Sequence, residues 1–339
     1  MLEIHLRFSA LSFFEDSILR INYKIGIHFS IPTYSQDSLA ISFTIQTYRD
    51  RLINLKQQAT GYPFLKTTFL KKHGYPLNLD QPRTFCEWVN FKKVRDRNPL
   101  IPITSDKFQV RQYIRQKLGR QYGDELLIPL LHVSKSGTDI PFDKLGQEFF
   151  LKANHCSGAN LHVKPGADPR FLKSTCEKWL NSSYGQSLHE WGYRDIPRKI
   201  ICEKVLRDGQ GRLPLDFKFY CIHGQVEMIG IFYKSGKQSF ACYLDPLLRE
   251  VGGPMGDDIP MPEIPKIPNL DRLLHLAETL SEEFELVRID LYSVEDKIHF
   301  GEITHYPGSG LDRFECQALD FNLGKKISEG RLLLQKAGA

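Results

Sequence analysis

What this chain of 339 residues does not contain narrows its reading first. No apolar run approaches the roughly 18 residues that a transmembrane helix needs. The first thirty residues are interrupted by Arg7, Glu15, Asp16, Arg20 and Lys24, unlike a secretory signal. The seven cysteines, at 86, 156, 176, 202, 221, 242 and 316, form no C-x-x-C and leave an odd total. That argues against a disulfide framework or a structural zinc site and for a reducing, cytoplasmic setting. Internal repeats and low-complexity tracts are missing, and so is any strong excess of charge, since the net value is only +5. Such a balance suits an anionic ligand, a nucleotide or an acidic polymer, and does not call for nucleic acid.

What is present is an ordinary globular composition, 41% hydrophobic and 25% charged, long enough for two domains or one with inserted subdomains. Residues 1–55 follow neither a helical nor a strand period and read as an N-terminal extension of unknown role. From residue 60 onward, Gly-Tyr-Pro and Gln-Pro turns separate short helices. In residues 104–119, Val110, Ile114 and Leu118 share a helical face. Thr104 or Ser105 is placed to cap that helix and Gly119 to end it. Residues 126–133 read as a strand, 147–166 as strand, polar turn and strand, and Asp168-Pro169 opens a helix. Strands follow at 198–206, 216–224 and 225–233, with His223-Gly224 as a hairpin turn. A four-turn helix over Leu270–Phe284 precedes ELVRIDLYSVEDKIHFGEITHY, two strands about a tight turn. Strand pairs mixed with helices predict an α+β fold.

The last hairpin carries the chemistry. With Glu295-Asp296-Lys297 as its turn, Asp290 faces Glu302, Arg288 faces Thr304 and Tyr292 faces Phe300. Strongly polar side chains then share one face, while Ile289, Leu291 and Ile303 share the other, and a one-residue slip would scatter both sets. Facing side chains lie about 4.5–5.5 Å apart at Cβ, so two carboxylates there need a shared cation or a proton. Oxygen donors without His or Cys suit Mg²⁺, which takes one or two carboxylates together with nucleotide phosphates. The plainer alternative is a solvated face on which Arg288 neutralises both acids. Apolar flanks and the Pro307-Gly308-Ser309-Gly310 turn, a candidate phosphate contact, favour the metal.

Lys152 ends the apolar run Phe149-Phe150-Leu151 beside the polar turn 154–160, where it can touch phosphates while the turn closes over them. His155 and Cys156, neighbours in sequence, suit structural roles better than nucleophilic ones. The run Ile200–Leu206 is either an ordinary core strand or one whose Glu203 and backbone meet an adenine edge. Lys218 alternates with Phe217 and Phe219 and shares a face with Asp216 and Tyr220, giving a second phosphate contact.

Taken in order, LNLDQPRTFCEW, SDKFQVRQYI, FFLKANHCSGAN, IICEKVL, DFKFYCIHG, VRIDLY and FGEITHYPGSGL resemble the ATP-grasp superfamily over roughly residues 60–330. The similarity is greater to its TupA-like branch, associated with teichuronopeptide biosynthesis in bacterial cell walls. The resemblance implies two α+β subdomains that clasp ATP, with mixed and antiparallel sheets. Residues 56–126 would be a helical, substrate-facing region, 127–206 the lid subdomain and 207–339 the Mg²⁺-binding subdomain. It also implies that Lys107 and Lys152 hold phosphates and that the 155–160 turn, with His155, Ser157 and Gly158, is the lid loop. Glu203 with Lys204, Val205 and Leu206 would take adenine. Lys218 and Arg288 would stabilise charge on the γ-phosphate, and Asp290 and Glu302 would bind Mg²⁺. Many members carry Glu-x-Asn on the last strand. Here Thr304 stands in the Asn position as a third metal ligand, and the lid loop is poorer in glycine than many.

The implied activity is an ATP- and Mg²⁺-dependent carboxylate–amine ligase acting through an acyl phosphate, adding an amino acid or peptide to an acidic cell-surface polymer or its precursor. Its partners would be the carboxylate and amine substrates, with peripheral association with polymer-assembly machinery. A kinase on the same fold, a glycosyltransferase of surface polysaccharide synthesis and a non-catalytic nucleotide-binding module are the alternatives.

Overall fold

The computed structural model describes residues 52–235 and 238–337, so the reading of 1–55 as an extension lies almost wholly outside the described residues. Helix Pro63–His73 opens on a proline, which has no N–H to lose there, and closes at Gly74, whose N–H reaches Leu70 O at 2.9 Å. Helix Phe85–Arg95 opens on a capping box. Thr84 Oγ1 accepts the Glu87 N–H at 3.1 Å, and Glu87 Oε2 accepts the Thr84 N–H at 3.2 Å.

The single helix expected over 104–119 is two, Leu100–Ser105 and Val110–Leu118. Asp106 causes the break by accepting the N–H groups of Phe108 at 2.8 Å and Gln109 at 3.3 Å on one oxygen. Thr104 does not cap; its hydroxyl bonds Leu100 O and His305 Nε2, both at 2.7 Å. The strand expected over 126–133 begins only at Leu130, because helix Arg120–Leu126 occupies its start.

Strands β1 (Leu130–Ser134), β2 (Phe149–Ala153), β3 (Asn160–Val163) and β4 (Ile200–Glu203) form an antiparallel sheet in the order β1-β4-β2-β3. Helix Pro169–Leu180, capped by Asp168 on the Arg170 N–H, buries Leu172 and Cys176 against Leu151, Ala153 and Cys202. Strands β5 (Asp216–Ile222), β6 (Gln225–Ser235), β7 (Gln238–Leu244), β8 (Ile259–Pro260), β9 (Leu286–Val294) and β10 (Lys297–Thr304) form the larger sheet, ordered β10-β9-β5-β6-β7-β8. Its pairs are antiparallel except β7 with β8. The β5–β6 hairpin turns on His223 and Gly224, at φ 48° and 77°, the left-handed pair that a two-residue turn needs.

Alternation divides this larger sheet. One face sends Phe217, Phe219, Ile289, Leu291 and Ile303 into a core with Ile114, Leu273 and Leu280 from the helices Val110–Leu118 and Leu270–Ser281. On the other face β5 carries Asp216, Lys218, Tyr220 and Ile222 in turn. Tyr220 and Ile222 join a second core with Phe85 and Val89, while Asp216 and Lys218 stay polar at the uncovered end. That uncovered end is where β9 and β10 bring their acids.

The final hairpin keeps the expected pairs Asp290–Glu302, Arg288–Thr304 and Ile289–Ile303, but Tyr292 faces His299 rather than Phe300. The turn itself is only Glu295-Asp296, and a bulge between Phe300 and Glu302 absorbs the extra residue. Gly301 makes the bulge possible, since a Cβ there would meet Asp290 O at 2.9 Å and the Tyr292 ring at 3.1 Å. The two sheets are tied through one crossing segment. Leu127 bridges to Phe300 in the larger sheet, and Pro129 O accepts the Lys204 N–H at 3.0 Å beside the smaller one.

The seven cysteines are free thiols. Buried His73, Cys86 and Asp320 place ligand-type atoms within 4.8 Å of one another, and Asp320 there accepts the Cys86 N–H at 2.9 Å, joining two helices. Among the described residues, no helix is long and apolar enough to cross a membrane.

Candidate nucleotide and metal site

Arg288 occupies the centre of the acid face. Its Nε donates to Asp290 Oδ1 and its Nη2 to Asp290 Oδ2, both at 2.7 Å. The same Nη2 lies 3.3 Å from Glu302 Oε1 and 3.1 Å from Thr304 Oγ1, and the Thr304 hydroxyl donates to Glu302 at 3.0 Å. In the protein alone, therefore, the guanidinium reconciles the two carboxylates, as the plainer alternative for this hairpin has it. Lys218, opposite Asp290 on β5, pairs with Asp216 at 3.4 Å. Lys107 Nζ stands 3.5 Å from Glu302 Oε2 and donates to Cys156 O at 2.9 Å.

These surroundings split the acids. Burial alone would raise Glu302, yet Lys107, Arg288 and Lys218 outweigh it and hold that carboxyl down at about 2. Burial pushes Asp290 up to about 6 against the pull of Arg288 and Lys218. Glu302 keeps 34% of its side chain exposed and is reachable, whereas Asp290 is closed off at 4%. Asp290, Glu302 and Thr304 offer only oxygen, the donor set of a hard divalent cation. Asp216 adds a buried carboxylate oxygen, Oδ1, that has no hydrogen-bond partner. An orphaned oxygen beside an acid pair is what a cation site leaves when described without its ion, and these residues fit Mg²⁺.

Lys152 and Glu203 come together from β2 and β4, with Nζ 2.7 Å from Oε2. Arg111 approaches the other Glu203 oxygen at 3.5 Å and donates to Ile128 O at 3.0 Å. The Glu203 carboxylate, expected to meet adenine, is in the protein alone the counter-ion of two cations. Lys204 spends its N–H on Pro129 O, while Val205 is buried and Leu206 half-buried.

The 155–160 turn has a fixed base and an open tip. Asn154 donates to Asp106 Oδ1 at 2.8 Å and Pro197 O at 3.0 Å, and accepts the Lys199 N–H at 2.7 Å. His155 is interior at 2% exposure, and burial holds its imidazole down to about 4. It lies at the base of the turn expected to close over the phosphates. Ser157 and Gly158 are exposed, and nothing lies within 4 Å of where a Gly158 Cβ would be. In the Pro-Gly-Ser-Gly turn the Ser309 N–H bonds Tyr306 O at 2.8 Å and the Leu311 N–H bonds Gly308 O at 2.9 Å. Lys93 donates to Ser309 O at 2.5 Å and Oγ at 2.8 Å, and Asn90 donates to Gly310 O at 2.9 Å.

The sequence reading missed Arg111 and Tyr292 as members of this site and gave Asp216 no role of its own. Tyr292 sits in the combined field of Asp216, Asp290, Glu302 and Glu203; the Asp216 charge first, then burial, keeps its phenol protonated far above the ordinary range. Alternation alone could have found Asp216 and Tyr292, which lie on the polar face at even steps from Lys218 and Asp290.

A small antiparallel sheet and a larger, mostly antiparallel one carrying facing acids are the arrangement expected of an ATP-grasp protein. A model of the TupA-like ATPgrasp family matches residues 87–328, and the chain belongs to that family. The α+β fold with mixed and antiparallel sheets follows. Solved structures similar to this chain include D-alanine–D-alanine ligase from Bacillus anthracis complexed with ATP, at 13% identity and TM-score 0.42, covering 70% of this chain and 69% of that one. The Helicobacter pylori D-alanine–D-alanine ligase matches at 12% identity and TM-score 0.37, covering 67% and 61%. The N5-carboxyaminoimidazole synthase from Aspergillus clavatus matches at 11% and 0.33, covering 61% and 46%. No curated protein matches the chain in sequence.

Proposed function

We propose that this protein is an ATP- and Mg²⁺-dependent carboxylate–amine ligase that works through an acyl phosphate. The observation that carries this reading is the facing pair Asp290 and Glu302, with Thr304 beside it and the cations Arg288, Lys218 and Lys107 gathered around. Asp290, Glu302 and Thr304 would hold Mg²⁺, which supplies charge neutralisation along the triphosphate. Lys107 and Lys152 bring ammonium groups for the phosphates, and the open tip at Ser157-Gly158 covers them from water. Glu203, with the backbone of Lys204, Val205 and Leu206, receives the adenine edge.

A substrate carboxylate oxygen attacks the γ-phosphorus, the bond to the β–γ bridging oxygen breaks, and ADP leaves. Arg288 and Lys218 stabilise the charge that spreads over the transferring phosphoryl oxygens. An amine nitrogen then attacks the acyl carbon, phosphate leaves, and the amine proton passes to solvent. The acidic substrate is a cell-surface polymer or its precursor, to which an amino acid or peptide is added, with the reaction on the cytoplasmic side where thiols stay reduced.

The test is ADP release in the presence of an acidic acceptor and an amine, with hydroxylamine as a trap. Dependence on both substrates and a hydroxamate product support the ligase; a phosphorylated hydroxyl identifies the kinase instead. Unchanged turnover in the Asp290→Asn, Glu302→Gln double variant would end the reading altogether.

A further inference from the structure

A second concentration of positive charge lies away from the nucleotide lysines. Lys93, Arg97, His189, Trp191 and Arg194 line a cavity of about 230 Å³ between helix Phe85–Arg95 and the 183–194 loop. Through Asn54, Gly185 and Gln186 this space continues into a second cavity of about 390 Å³ lined by Tyr184, Ser187 and Glu190. Three cations, Lys93, Arg97 and Arg194, meet two acids, Glu190 beside Lys93 and Asp195 paired with Arg194. Glu190 is engaged by the Ser309 hydroxyl at 2.5 Å, and Asp195, 3.6 Å from Arg194 Nε, is largely exposed.

Three lining side chains also hold buried nitrogens that have no hydrogen-bond partner: His189 Nε2, Trp191 Nε1 and Arg194 Nε. They are three of the ten such atoms among the described residues, gathered on one small space. Trp191 Nε1 and Arg194 Nε are donors whatever the His189 tautomer, and each orphaned buried donor costs about 1–3 kcal/mol, so the two together point to an absent acceptor. The loop that carries them is held in place. His189 takes φ 60°, costly for a residue with a Cβ, while the Glu190 N–H bonds Gly185 O at 2.8 Å. Arg97 lies 5.3 Å over the Trp191 ring while donating to the helix-end carbonyls of Asp96 and Val94, so the wall is fixed before any ligand arrives.

The cavity wall is bonded to the turn that follows the acid-bearing strand. Lys93 and Glu190 both bond Ser309, in the turn that follows β10, and the Tyr184 phenol feels both Glu190 and Glu302. We propose that this cavity anchors a carboxylate of the acidic substrate, so that a neighbouring carboxylate of the same molecule reaches the acid pair for activation. The identity of the ligand as substrate rests on the ligase reading above; the binding itself does not.

The experiment follows the His189 ring resonances of the full-length protein by NMR at low ionic strength while N-acetyl-L-glutamate, D-glucuronate or inorganic phosphate is added. ATP with Mg²⁺ is titrated separately by calorimetry. Saturable shifts with either carboxylate, weakened about tenfold or more in Arg194→Gln while ATP affinity holds, support the anchor. Preference between the two carboxylates tells an acidic peptide from a uronic acid source. Phosphate binding tighter than both carboxylates, or equal carboxylate binding by Arg194→Gln and by Trp191→Phe, overturns it. Carboxylate binding that persists where ATP fails to bind upholds the anchor and removes the ligase reading alone.

Discussion

Arg288 and Asp290, two residues apart on β9, point to the same side of the sheet and form a bidentate pair at 2.7 Å for both bonds. Their side chains keep 11% and 4% exposure, so neither charge has water to fall back on. Removing one partner strands the other, and breaking a buried pair in this way costs about 3–5 kcal/mol. Arg288→Gln should lose that much stability in urea denaturation, and adding Asp290→Asn should recover most of it. Equal losses in the single and double variants would mean that the pair is not coupled.

The split of the two acids fixes a pH signature. Asp290 titrates at about 6 in the folded protein, above the ordinary value near 3.9, so the native state holds the extra proton and its contribution is lost as pH rises from about 4 through 6. Glu302, held at about 2, acts in the opposite sense: its contribution is present above about 4.3 and disappears as pH falls toward 2. Asp290→Asn should remove a decline in stability between pH 4 and 6, and Glu302→Gln a rise between pH 2 and 4. Unfolding curves collected across this range check both. On the proposed function, Mg²⁺-dependent ATP affinity should also fall below pH 6 in the wild type.

The Lys152–Glu203 pair lets structural and ligand roles be separated. Lys152→Met leaves Glu203 buried with only Arg111 at 3.5 Å, whereas Lys152→Met with Glu203→Met removes both charges. The single variant should melt at a lower temperature than the double. Both should bind ATP at least about tenfold more weakly, because a charge-assisted phosphate contact is gone in each. Restored ATP binding in the double variant would assign Lys152 to the fold alone.

Two glycines with positive φ should respond differently to alanine. At Gly310, φ is 59° and a Cβ would come within 2.6 Å of Asn90 Nδ2 and 2.8 Å of Cys86 O. Gly310→Ala should therefore cost about 1–3 kcal/mol or more, from strain and displaced packing together. At Gly158, φ is 73° in open space, so Gly158→Ala should cost about 1 kcal/mol. Thermal unfolding of the two variants side by side measures the difference.

Much of the site was legible because a strand's alternation is arithmetic. Once Ile289, Leu291 and Ile303 are assigned inward, Asp290 and Glu302 must meet, and they do. The bulge escaped because it sits between the informative pairs: shifting Phe300 onto Leu291 keeps both apolar, so the pattern is unchanged by it. The break at Asp106 escaped for another reason. Its carboxylate competes for two backbone N–H groups and also holds Asn154, 48 residues on, a contact no local spacing announces. Arg111 was likewise hidden, since its acidic partner is 92 residues away. The Ser309 turn looked like a free phosphate cradle, but its Ser309 and Leu311 N–H groups are spent on the carbonyls of Tyr306 and Gly308.

Lys107 belongs to two structures at once, donating a hydrogen bond to the Cys156 carbonyl in the 155–160 turn while its charge leans on Glu302 in the last strand. A single flexible side chain thus makes the 155–160 turn and the last strand answerable to each other. Substitutions at Glu302 and in the 155–160 turn should consequently combine non-additively, as damage to one latch and not to two separate parts.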